Sequence, residues 1–143
     1  MQPMVLGWLV VGAFAGDTLA QQNGWAAYES HLDDKVAQVN AACGAKLTAS
    51  YDHATYPAFD PIADRTESAC LAAVGTLSAL CATDPGKQVV RKLASATCRL
   101  STTGTGVTRA GAALTVNVDP ANSGITGAKP GSYSWKSALE EIL

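Results

Sequence analysis

Residues 64–100 read DRTESACLAAVGTLSALCATDPGKQVVRKLASATCRL, and this stretch decides how the chain can fold. Cys70, Val74, Leu77 and Cys81 recur at steps of three and four, with Ala73 beside them. They share one face of a helix predicted over residues 65–82. Asp64 can cap it, with Glu67 three residues on as the reciprocal partner. Two cysteines eleven residues apart on a continuous helix stand about 16 Å apart. A disulfide needs its Cα atoms within about 7 Å. Cys70 and Cys81 therefore do not pair with each other, and each must reach Cys43 or Cys98. The face that carries them must look towards both.

Upstream, Trp25, Tyr28, Leu32, Val36, Val39 and Cys43 make one narrow apolar stripe, which predicts a helix over residues 24–43. Gly44 stops it, because glycine enters the left-handed conformation cheaply. Leu47, Ala49 and Tyr51 alternate with Thr48 and Ser50, a strand within residues 46–52. Residues 53–64 carry Pro57 and Pro61 without a period and read as a loop.

Downstream, Asp84-Pro85-Gly86 breaks the chain. Asp84 can cap a short helix with Pro85 in its first turn. Val90, Ala94, Ala96, Cys98 and Leu100 also suit one strand face, so a strand is expected by Ala94 and on to Ser101. Residues 107–109 and 113–118 read as two more strands, separated by Gly111, and the three together as an antiparallel meander. Residues 120–130 form a polar loop. Residues 133–143 form a short helix, capped by Ser132 or Ser134, with Trp135, Leu139 and Ile142 as its stripe.

The expected fold is α+β: a small, mainly antiparallel sheet of three to four strands, two longer helices and a short C-terminal helix covering it, and two disulfides. In a strand, crossover, strand unit the second strand brings Cys98 towards Cys70 and leaves Cys43 near Cys81. That favours Cys43–Cys81 with Cys70–Cys98 over Cys43–Cys70 with Cys81–Cys98.

The chain of 143 residues is 48% hydrophobic and 15% charged, with a formal net charge of -2. It can build one core and resists disorder. Lys87, Arg91 and Lys92 are the only basic cluster, too small a footprint for nucleic acid. Residues 1–16 carry no charged side chain, and residues 5–14 are mostly apolar. That run is short for a membrane span but matches the core of a signal peptide. Small residues at Thr18 and Ala20 place the cut after Ala20. The expected organisation is residues 1–20 as signal peptide and 21–143 as one disulfide-stapled domain without a membrane span. An uncleaved first segment would instead tether the domain to a membrane. Four cysteines in the mature part, at intervals of 27, 11 and 17 residues, fit two bridges in a secreted or periplasmic protein. They lack the Cys-x-x-Cys spacing of zinc or thioredoxin-like sites.

No motif carries chemistry. Gly-x-Ser-x-Gly is absent, the turn Thr103-Gly104-Thr105-Gly106 lacks the lysine of a phosphate loop, and residues 119–124 lack the spaced carboxylates of a calcium loop. Of the two histidines, His31 lies on the polar face of the first helix. His53 could join Asp52, Asp60 and Asp64 around a metal. Tyr51, His53, Tyr56 and Phe59, in and around the long loop, are the candidate contact surface. The functional expectation is an exported, non-catalytic binding domain without cofactor, facing an unidentified protein or envelope component. The alternative is a small exported hydrolase or metal-dependent enzyme centred on the Asp52–His53 loop.

Overall fold

The computed structural model describes residues 18–57, 61–120 and 134–143, with 61–65 as backbone only. The stripe of the first helix is its buried face residue for residue: Trp25, Tyr28, Leu32, Val36, Val39 and Cys43. This helix, α1, spans Leu19–Cys43 and so begins five residues earlier than its apolar stripe suggests. Thr18 caps it, its hydroxyl accepting from Gln21 N while the Gln21 side chain accepts from Thr18 N. Gly44 ends it at φ 65°, and Arg91 Nε donates to the Cys43 carbonyl at 2.9 Å. Asn40 accepts from Leu47 N and donates to Leu47 O, which fixes the chain entering strand β1, Thr48–Tyr51.

A 3-10 turn, His53–Thr55, follows β1, and helix α2 runs over Pro61–Leu80. The predicted loop is thus shorter than expected. Pro61 opens the helix, a position where proline's fixed φ and missing N–H cost nothing. Asp64 then lies inside the first turn rather than at the cap; its side chain, like the whole of Asp60, is outside the described residues. Helix α3 is Asp84–Arg91, capped by Thr83 rather than Asp84: the Thr83 hydroxyl accepts from Gly86 N at 3.2 Å. The segment that read as helix or strand is therefore both, since β2 follows at Ser95–Leu100. Strands β3, Gly106–Ala110, and β4, Ala113–Val118, come next, and helix α4 is Trp135–Ile142, capped by Ser134.

The α+β class, the four strands and the two bridges are as expected, but the sheet is mixed rather than mainly antiparallel. Its order is β1-β2-β4-β3. β1 pairs with β2 in parallel, β2 with β4 in parallel, and only β3 with β4 antiparallel. The α2–α3 crossover between β1 and β2 makes them parallel. The meander fails because β4 inserts between β2 and β3. Leu114, Val116 and Val118 of β4 are at most 1% exposed, whereas Thr108, Arg109 and Ala110 of β3 are exposed. The more apolar strand takes the interior place and the more polar one the edge.

The bridges are Cys43–Cys81 and Cys70–Cys98, with Cα separations of 5.4 and 6.0 Å. This is the pairing that the crossover geometry favours. The first ties the ends of α1 and α2; the second ties the middle of α2 to the central strand β2. Leu32, Val39, Val74, Leu77, Val90, Leu93 and Leu139 complete a core between helices and sheet.

Gly86 sits where α3 turns back against the end of α2. A Cβ there would drive into the Leu80 carbonyl, which is backbone and cannot swing away. Gly86→Ala is expected to cost about 1–3 kcal/mol, the range for overpacking. A urea titration monitored by circular dichroism reads this as a lower midpoint at unchanged slope. An unchanged midpoint would show that α3 shifts freely.

Candidate functional site

The end of β1 and the loop after it carry the candidate contact residues Tyr51, His53, Tyr56 and Phe59. Tyr51 and Tyr56 are 6% and 8% exposed and pack around Trp25 of α1. Trp25 meets Tyr56 edge-on at 5.0 Å between ring centroids, and Tyr51 at 5.6 Å. His53 stacks on Trp25 at 4.2 Å, with planes 20° apart. Tyr28 closes the cluster at 6.0 Å from Tyr51. Of the four predicted contact residues, three therefore come together, but the two tyrosines face inward and only His53 is partly open to solvent. Phe59 lies outside the described residues.

Both histidines meet glutamates. His53 Nε2 lies 3.5 Å from Glu29 Oε1, and His31 Nδ1 lies 2.9 Å from Glu67 Oε2. Glu67 was expected to close the cap of α2; it bridges to α1 instead. The Asp52 carboxylate makes no hydrogen bond or ion pair among the described residues. The Asp52 backbone serves the turn, its N–H donating to Cys98 O and its carbonyl accepting from Thr55 N. Among the described residues no three His, Cys, Asp or Glu side chains converge as a metal set.

Burial raises the Tyr51 phenol well above its usual range, and the Glu67, Tyr56 and Glu29 groups add to the rise. Burial also pushes Tyr56 up to about 12, offset in part by Thr66 and reinforced by Asp52. The Tyr51 hydroxyl has no hydrogen-bond partner among the described residues, and Thr66 is the polar side chain that faces the Tyr56 hydroxyl. Each neutral phenol is thus favoured in the folded chain. The unfolded chain ionises near pH 10, so the tyrosine contribution to stability is full below that and is lost as pH rises through about 12. The urea midpoint is expected to fall steadily above pH 10. Tyr56→Phe keeps the ring, removes the ionisation, and should flatten that fall. An identical slope in the variant would contradict the assignment.

A second arrangement was not legible in the sequence. The deeply buried residues of β2 and β4 all lie on one sheet face, and the residues between them are half-buried or exposed. Register places Ser50, Thr97, Thr115 and Thr108 in one row across all four strands of that second face. The neighbouring row is Arg99, Asn117 and Gly106. It opens into a cleft of about 620 Å³, lined by Thr55, Arg99, Ser101, Thr105, Thr108 and Asn117 among others. The cleft lies at the carboxyl ends of the parallel strands β1, β2 and β4, where open sheets of this kind place ligands.

Its far wall is the β2–β3 connection. Ser101 N donates to Val118 O, and Ser101 Oγ accepts from Thr103 N at 3.1 Å. Thr105 Oγ1 accepts from Asp119 N at 2.9 Å. Gly104 takes φ 119°, which a side chain would strain. Thr55 Oγ1 donates to Asp52 O and accepts from Leu100 N, which ties the near wall to β2. A more apolar hollow of about 420 Å³ lies between α2, α3 and α4, lined by Leu80, Val89 and Leu143 with Lys136 and Glu140.

No family model, curated protein or solved structure matches this chain. Among the described residues no helix is long and apolar enough to cross a membrane. The two disulfides suit an oxidising compartment, extracellular or periplasmic.

Proposed function

We propose that this protein is an exported, non-catalytic binding domain that works in the periplasm or outside the cell, with residues 1–20 as its removable leader. The observation that carries the binding reading is the preformed polar cleft at the carboxyl ends of three parallel strands. Its walls are fixed by their own hydrogen bonds, which reduces the entropy a ligand must overcome. The export reading rests on the apolar leader and on two long-range bridges. A cut after Ala20 falls within α1. It would remove the Thr18 cap and Leu19, which is 72% exposed, and would leave Trp25, the first buried residue of the chain described, in place.

The competing reading is a small exported hydrolase or metal-dependent enzyme centred on the Asp52–His53 loop. It is tested by thermal melting with chelator and with added zinc or calcium. The binding reading expects superimposable melts for the parent protein and for His53→Ala under all three conditions, apart from a common offset for the lost Trp25 stack. Stabilisation by a metal that vanishes in His53→Ala would overturn it.

A further inference from the structure

We infer that the cleft at the carboxyl ends of the strands binds a small hydroxylated carboxylate, of the sugar-acid or hydroxy-acid class, with Arg99 and Asn117 holding its carboxylate. The inference rests on the binding-domain reading and names the ligand chemistry. Arg99 and Asn117 are register partners on the adjacent parallel strands β2 and β4. Their side chains leave the same sheet face from Cα atoms one strand spacing apart, roughly 5 Å. Asn117 is followed in its row by Gly106, which has no side chain to fill the space above the sheet.

The charge of the lining selects the ligand. Among the described residues that line the cleft, Arg99 is the one charged side chain, and it is exposed. It makes no hydrogen bond or ion pair among the described residues. Arg91 and Arg109, by contrast, are spent on backbone carbonyls. A guanidinium with no carboxylate among the described lining residues favours an anion, and its planar fork matches the two oxygens of a carboxylate. A phosphate ester carries about −1.5 to −2 charges at neutral pH. One cation balances a carboxylate and leaves such a phosphate under-compensated.

The rest of the lining selects hydroxyls. Ser101, Thr103 and Thr105 spend much of their hydrogen-bonding capacity on the wall itself. Thr102 and Thr108 are exposed and their side-chain hydroxyls make no hydrogen bond among the described residues, so they remain to meet a polar ligand. A hydroxyl both donates and accepts, and so pairs with another hydroxyl in either sense. A volume of about 620 Å³ lies within the range of small-molecule sites. Among the described residues no aromatic ring lines it. A sugar acid is therefore gripped by its polar edge rather than by stacking.

The experiment is a titration of the isotope-labelled protein, at constant ionic strength, with D-galacturonate, D-galactose and inorganic phosphate, read by amide chemical shifts. Galacturonate is expected to shift the Gly104 and Gly106 amides and the Asn117 side-chain amide saturably. Galactose, which carries a hydroxymethyl group where galacturonate has its carboxylate, should bind about tenfold more weakly, the worth of one charge-assisted contact. Arg99→Gln should lose about the same factor, and Arg99→Lys should keep part of the affinity while melting like the parent. Equal binding of galactose, equal shifts with phosphate, full affinity in Arg99→Gln, or no saturable shift would each overturn the assignment. None of these outcomes bears on the metal-dependent melts at His53. A hydrolase found there would leave the titration result standing, so the two readings fail separately.

Discussion

Replacing Cys43 and Cys81 together by alanine is expected to lower the unfolding free energy by about 4 kcal/mol. The bridge closes 38 residues. Loop-closure entropy for that length gives roughly this figure, and the 28-residue separation of Cys70 and Cys98 gives only slightly less. Domains of this size are typically stable by about 5–15 kcal/mol, so one bridge is a large fraction of the total. The two loops overlap between residues 70 and 81, so their contributions are not additive. Removing all four sulfurs is nonetheless expected to leave no stable fold at 37 °C. Urea denaturation separates the mechanism from a packing loss. Without the cross-link the unfolded chain expands, so the midpoint should fall while the slope rises. A fall in midpoint at unchanged slope would assign the loss to the native state instead.

Trp25→Ala is the second large effect, expected at about 3–5 kcal/mol. Trp25 is 4% exposed and is the ring that Tyr28, Tyr51, His53 and Tyr56 all touch. Its loss removes one of the largest buried side chains of α1 and the edge-on and stacked contacts together, each worth about 0.5–1.5 kcal/mol beyond area alone. It also opens two buried phenols to water. Thermal melting should show the stability loss, and an alkaline titration of phenolate absorbance should show Tyr56 moving from about 12 back towards 10. Trp25→Phe should recover part of both. Full stability in the alanine variant would mean that the cluster does not hold α1 to the turn after β1.

Periodicity made the helices legible because a buried face repeats locally. The stripe from Trp25 to Cys43 needs no knowledge of what it packs on, and the rise along α2 alone forbids a Cys70–Cys81 bridge. Alternation likewise placed Leu114, Val116 and Val118 on one face of β4. It did not place β4 beside β2, because alternation fixes which way a side chain points and not which strand is its neighbour. The early starts of α1 and α2 were missed because Thr18 and Pro61 act through caps and backbone geometry, with no apolar repeat to announce them.

The candidate sites follow the same division. Tyr51 and Tyr56 read as an exposed contact pair because their partner, Trp25, is some thirty residues away along the chain. His31 is the solvated helix residue it read as, and only its contact with Glu67, which comes from another helix, left no trace in the sequence. The cleft left almost no trace in the sequence. Thr102, Thr103, Gly104 and Thr105 look like an ordinary turn, and Arg99 meets Asn117 only through strand register. Arg99 lies on the face of β2 opposite Ala96 and Cys98, where a charged residue in an alternating strand is commonplace.

The central claim is an exported domain stapled by two bridges. It is tested most directly by the intact mass of the protein recovered from its native host, alkylated with and without prior reduction. The account predicts a chain that starts at Gln21, takes up no alkylating agent until reduced, and yields Cys43–Cys81 and Cys70–Cys98 linked peptides. A chain that starts at Met1 with four reactive thiols would contradict it.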